Sequence, residues 1–181
     1  MHIPLAFVHS RSPRRAAGFT LVELLVSMAV LAVLLAVGVP SFAGLMRQWR
    51  LESVVNNLTG DLRLARSTAT RASRPVVVCA QDGGGHCSGR ETWGQGWLVF
   101  IDVDNNRAVD AGDTVVAQRG AQAGISSVSL SGIDKDQIRF RPNGTLNGLS
   151  VTVSVQTAGT DSKQQDLVLN HIGRLHVGSI K

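Results

Sequence analysis

From Phe19 to Met46 the chain is apolar at almost every position, and the single charged residue in that run is Glu23. About 20 such residues cross a bilayer as a helix, so the length alone predicts a membrane-spanning segment. An ionised carboxylate held in hydrocarbon costs several kcal/mol unless a cation meets it. Glu23 therefore requires a partner. The nearest candidate is an α-amine at Phe19, created if the chain is cut after Gly18, on the same subunit or on a neighbour in a helical assembly.

Other readings of this segment account for less of it. A secretory signal places an apolar stretch of roughly 7–15 residues ahead of a small-residue cleavage site, whereas here the run is longer and the small residues precede it. Arg14-Arg15 suggests twin-arginine export, yet no Ala-x-Ala pattern follows the apolar stretch. A plain single-span anchor fits the length and leaves both Glu23 and the Gly18-Phe19 junction without a role. The stretch Arg14-Arg15-Ala16-Ala17-Gly18-Phe19-Thr20-Leu21-Val22-Glu23 closely resembles the processing site of type IV pilins and type II secretion pseudopilins. That resemblance implies a leader over residues 1–18, a prepilin peptidase that cuts between Gly18 and Phe19 and methylates the new amine of Phe19, and a filament subunit in which Glu23 serves assembly.

The formal charge of +5 belongs mostly to the leader, where Arg11, Arg14 and Arg15 stand without an acid, so the chain from Phe19 onward carries only +2. Global charge then says little about partners. Cytoplasmic flanks of membrane spans are enriched in Lys and Arg, so the three arginines predict a single-pass inner-membrane protein whose N-terminus is cytoplasmic before cleavage and whose globular part is periplasmic. Cys79 and Cys87 are the only cysteines, separated by a glycine-rich turn. In an oxidising compartment such a pair is expected to form a disulfide. A metal site with His86 as third ligand lacks a fourth ligand and the usual zinc spacing.

Beyond the apolar run (19–46) the helix is expected to continue as an amphipathic stretch over 47–74. Apolar residues fall at 51, 54, 55, 58, 62, 65, 69 and 72, with Arg63, Arg66 and Arg71 off that stripe. Pro40 removes a backbone hydrogen bond and predicts a kink, and Arg74-Pro75 ends the helix. From residue 75 to 181 short apolar or alternating runs are broken by Gly, Asn or Asp. They predict strands at about 75–81, 96–102, 113–119, 125–131, 137–141, 149–156, 165–171 and 174–178. The fold class is α+β, with a long N-terminal helix packed on an antiparallel β-sandwich or curled sheets.

The order Cys79 to Cys87, Trp93-Gly94-Gln95-Gly96-Trp97-Leu98-Val99-Phe100, Asp110-Ala111-Gly112-Asp113 and Ile138-Arg139-Phe140-Arg141-Pro142-Asn143-Gly144 resembles the GspH/FimT branch of pilin-like proteins. The resemblance implies a pilin-like fold, other pilins or pseudopilins as partners, and membership of a type II secretion pseudopilus or a type IV pilus. Some members of the pilus branch bind DNA. They do so with a Gly-Arg-x-Arg element, for which this chain has Gly173-Arg174-Leu175-His176. A basic stripe of Arg174, His176, Lys163 and Lys181, with Arg139 and Arg141, is the corresponding DNA candidate, set against a charged edge strand kept soluble.

Asp102, Asp104, Asn106, Asp110 and Asp113 place oxygen ligands at positions 1, 3, 5, 9 and 12 of a calcium-loop template. Arg107 replaces the template's glycine and no entering helix is predicted, so a polar hairpin is the better account. Trp93, Trp97 and Phe100 are expected in the core rather than on a binding platform. No catalytic constellation or cofactor motif stands out, and the expectation is a non-enzyme without a cofactor.

Overall fold

The computed structural model describes residues 18–90, 93–132 and 136–181. The leader up to residue 17 lies outside them. Two compact units are present, one ending at Ser41 and one running from Phe42 to Lys181. Helix α1 (Leu21–Ala72) contributes to both. The eight strands are β1 (Val76–Ala80), β2 (Trp97–Ile101), β3 (Thr114–Arg119), β4 (Ile125–Ser131), β5 (Gln137–Phe140), β6 (Val151–Thr157), β7 (Gln164–Leu169) and β8 (Leu175–Val177). Each falls where the sequence pattern places it, within two residues at either end.

In the first unit Thr20 caps α1: its Oγ1 accepts from the Glu23 amide at 3.2 Å, which satisfies one of the donors a helix start leaves open. From Leu21 to Val39 the side chains are exposed, and this stretch is long and apolar enough to cross a membrane. Pro40 remains within the helix assignment, and its side chain lies outside the described residues.

In the second unit the predicted stripe becomes the core. Leu51, Val54, Val55, Leu58, Leu62, Ala65 and Ala69 are all buried, and only Ala72, in the last turn, is exposed. The helix stops at Ala72 because Ser73 turns into the left-handed region (φ 52°), two residues before Pro75 forces the issue. Two antiparallel four-stranded sheets carry the rest, in the orders β3-β2-β1-β5 and β4-β6-β7-β8. The helix stripe, Val76, Val78 and Ala80 of β1, Trp97 and Val99 of β2, and Val151, Val153, Val155, Leu167 and Leu169 of the second sheet share one cluster. Alternation on β6 is complete, with every odd residue from Val151 to Thr157 buried and every even one half-exposed.

β1 departs from that alternation, since all five of its residues are buried. Val77 and Cys79 pack with Leu98 and Phe100 in a second cluster on the far side of the sheet, closed by Cys87 and Val109. The Cys79–Cys87 disulfide is present. It draws the glycine-rich turn over this second cluster. Within the turn Asp82 accepts hydrogen bonds from the Gly84 and His86 amides at 2.7 and 3.2 Å, and those bonds hold its carboxyl below the usual range.

The Trp-Gly-x-Gly-Trp stretch has a packing explanation. Trp93, Trp97 and Phe100 are buried as expected, and the Trp93 amide donates to the Val128 carbonyl, tying the segment ahead of β2 to β4. Gly96 adopts φ 97°, and a Cβ there would run into the carbonyl oxygens of Arg119 and Gly120. Only glycine lets β2 begin so close to the end of β3.

Candidate functional site

Three regions carry the residues that the sequence singles out, and the fold separates them. At the N-terminus Gly18 and Phe19 precede the helix in a non-helical segment, Phe19 is 82% exposed, and Glu23 lies in the first turn. Thr20, next to Phe19, caps the turn that carries Glu23 by accepting from its amide.

The second region is the Asp102–Asp113 loop. Carboxylate oxygens of Asp102, Asp104 and Asp113 lie within 4.8 Å of one another. The hydrogen bonds they accept come from within the loop, and Asp102 Oδ2, buried, accepts none. Asp102 Oδ1 accepts from the Asn106 amide, Asp113 accepts from the Val103 and Asp110 amides, and the Asn106 side chain donates to Asp104 and Asp110 at 2.7 and 2.8 Å. Asp102, wholly buried, faces the Arg139 guanidinium at 3.5 Å. A loop closed by its own amides and by an arginine is a polar hairpin, and Asn106 has turned its donor, not its oxygen, toward the carboxylates. Of the five template residues, Asp102, Asp104 and Asp113 converge, while the Asn106 side chain donates to Asp104 and Asp110.

The third region is the C-terminal basic set, which does not form one stripe. Arg139 is 9% exposed and committed to Asp102, so it is withdrawn from any surface. Arg141 holds Asn147 Oδ1 through two donors at 3.1 and 2.8 Å. Lys163 reaches Gln48 near the start of the second unit, and Lys181 pairs with Asp166 at 2.8 Å. Arg174 instead follows the tight Asn170–Gly173 turn, whose Gly173 carbonyl accepts from Arg66. Gln48 and Arg66 are eighteen residues apart on α1, roughly 27 Å at 1.5 Å per residue. Period-two spacing along the chain could not see that separation. Arg174 and His176 are both exposed, with His176 opposite Val168 on β8.

Two arrangements lie outside the sequence-based expectations. Asp61, buried in α1, receives Trp97 Nε1 and a two-point contact from Arg119. Arg63, Arg66 and Arg174 meet around one groove. In sequence the arginines of α1 register only as residues off the apolar stripe, which marks them as outward-facing and says nothing about what they face.

Residues 13–39 match the prokaryotic N-terminal methylation motif, and residues 54–173 match the family described as type II transport protein GspH. Together with a long helix laid on two antiparallel sheets, these define a type IV pilin-like subunit, a structural class and not an enzyme. The chain belongs to the GspH family. It is 30% identical over 124 residues to the type IV narrow pilus major component PilA5 of Thermus thermophilus, covering 65% of this chain and 99% of that protein. Two crystal structures of the type IV minor pilin FimU of Pseudomonas aeruginosa (strain PAO1) share its fold. One aligns with TM-score 0.56 at 18% identity over 73% of this chain and 90% of that one, the other with TM-score 0.55 at 19% identity over 71% and 93%.

Proposed function

We propose that this chain is a minor pseudopilin, inserted through its N-terminal helix into the pseudopilus of a type II secretion system. The observation that carries this reading is the GspH match over residues 54–173 standing behind a methylation motif over 13–39. In this reading a prepilin peptidase removes residues 1–18 and methylates the amine of Phe19. The helix holds the subunit in the inner membrane with its globular unit in the periplasm, and entry into the filament pairs Glu23 with the α-amine of Phe19 on this subunit or an adjacent one. Desolvation makes an unpaired carboxylate costly and a matched one selective, so the pair would set the register of entry. Mass spectrometry of the membrane-extracted protein tests the first step: the mature chain should begin at methylated Phe19, and an intact N-terminus in cells with active peptidase would end the reading.

A second reading is a type IV minor pilin that captures DNA through Arg174 and His176. It is supported by the pilus proteins among the relatives and by the exposure of those two side chains. Gene deletion separates the two machines. Loss of secreted enzymes with normal transformation supports the pseudopilus, and the converse supports the pilus.

A further inference from the structure

Arg63, Arg66 and Arg174 line one groove of about 390 Å³ between α1 and the turn that joins β7 to β8, with Leu62, Leu169 and Leu175 also lining it. The volume falls within the range of small-molecule sites. Among the described residues none of the three arginines makes an ion pair. Three like charges gathered on one rim repel one another, and an anion between them removes that repulsion.

The central arginine is held in place. Arg66 Nη1 donates to the Gly173 carbonyl at 2.8 Å, and the side chain passes between two glycines that both take left-handed φ, Gly144 at 76° and Gly173 at 78°. A Cβ on Gly173 would come within 2.9 Å of Arg66 Nε and 2.5 Å of the Gly144 carbonyl oxygen, and one on Gly144 within 3.3 Å of the same Nε. Two turns distant in sequence thus leave room for one guanidinium. A guanidinium has five N–H donors, so Arg66 retains donors beyond the one given to Gly173, while Arg63 and Arg174, which line the same groove, are exposed.

We infer that this groove binds a phosphate ester the size of one nucleotide, with the arginine forks on the phosphate oxygens and the half-buried Leu175 against the apolar part of the ligand. Planar forks suit phosphate better than a point charge does. The ligand's source is either a free nucleotide or one unit of a nucleic-acid strand. The inference shares Arg174 with the DNA-capturing reading and otherwise stands on Arg63 and Arg66, so each can fail alone.

The test uses the full chain in dodecyl maltoside at low salt, titrated with adenosine monophosphate, with inorganic phosphate and with a labelled oligothymidylate. Adenosine monophosphate should bind more tightly than inorganic phosphate, and either Arg63→Gln or Arg174→Gln should weaken it at least tenfold while Arg90→Gln, outside the groove, leaves it unchanged. Binding of the strand alone, with the same dependence on Arg63, also supports the groove and assigns nucleic acid as the source. Three results overturn it: no binding of either ligand to the wild type, equal affinity for inorganic phosphate and the nucleotide, or equal loss in Arg90→Gln. Strand binding that is lost in Arg174→Gln and intact in Arg63→Gln overturns the groove and leaves the DNA-capturing reading standing. Because Arg63 and Arg174 are surface residues, folding of these variants is checked by their unchanged thermal midpoints.

Discussion

Asp61 on α1 accepts a hydrogen bond from the indole of Trp97 at 2.9 Å, and its two oxygens take the Arg119 guanidinium at 2.9 and 3.1 Å. One carboxylate thus ties the helix to β2 and to the end of β3. Arg119 is held more firmly protonated by that hydrogen bond and by the charge of Asp61. Replacing Asp61 with Ala leaves a buried indole N–H without an acceptor, and should destabilise the second unit by about 2–3 kcal/mol. Chemical denaturation of Asp61→Ala against wild type checks this, and Asp61→Asn should recover part of the loss by keeping an acceptor for Trp97.

The disulfide closes a short loop, Cys79 to Cys87, at a sequence separation of 8. Loop-closure entropy for a ring of that size is worth about 2.5 kcal/mol. The Cys79→Ala/Cys87→Ala variant should shift the denaturation midpoint accordingly, and wild type in reductant should follow it. Equal midpoints with and without reductant would show that the ring does not constrain the unfolded chain.

Acid should weaken the attachment of the C-terminal segment. Asp166 is lowered to about 2, first by the hydrogen bond from Lys181, then by those from Gln164 and Ser154. A depressed carboxyl stabilises the fold above its unfolded value, near 3.9, and that contribution disappears as pH falls through the folded value. Wild type should therefore exceed Asp166→Asn by on the order of 1–2 kcal/mol near neutral pH, with the gap closing between about pH 4 and pH 2. A gap that stays constant over that window would remove the assignment.

Glu23→Ala should leave cleavage intact and lower incorporation into the filament several-fold. Immunoblotting of sheared filaments for the variant subunit, beside mass spectrometry of its N-terminus, reads both steps. Wild-type incorporation would show that Glu23 is only a tolerated polar residue near a helix end.

Gly96→Ala should be among the most damaging single changes, because the added methyl meets backbone oxygen in β3's exit and φ 97° is costly for alanine. A loss of more than about 2 kcal/mol is expected, combining backbone strain with the clash. Gly94→Ala, with nothing within 4 Å of its Cβ position, serves as the control.

The elements of this fold were legible because each is written in a local period. The 3.6-residue stripe from Leu51 to Ala69 and the alternation of β6 required no knowledge of partners. Sites made by several elements were less so. Arg139 reads as surface charge in a strand pattern, yet pairing β5 with β1 places it beside the buried Asp102. Lys163 and Arg174 look close along the chain, yet Lys163 bonds Gln48 while Gly173, the residue before Arg174, bonds Arg66, eighteen residues further along α1. Asp61 is three residues after Leu58 and four before Ala65, at the edge of the apolar stripe, so the helical period places an acid beside the core, but only the fold shows that the indole and guanidinium brought by two strands satisfy it.

β1 has no solvent side: Val76, Val78 and Ala80 face the helix cluster while Val77 and Cys79 face the one beneath the disulfide turn. A substitution at any of its five positions therefore meets a packed neighbourhood, whichever face that position lies on. Random mutagenesis should accordingly find this pentapeptide the least forgiving stretch of the second unit, and libraries meant to diversify the subunit should leave it untouched.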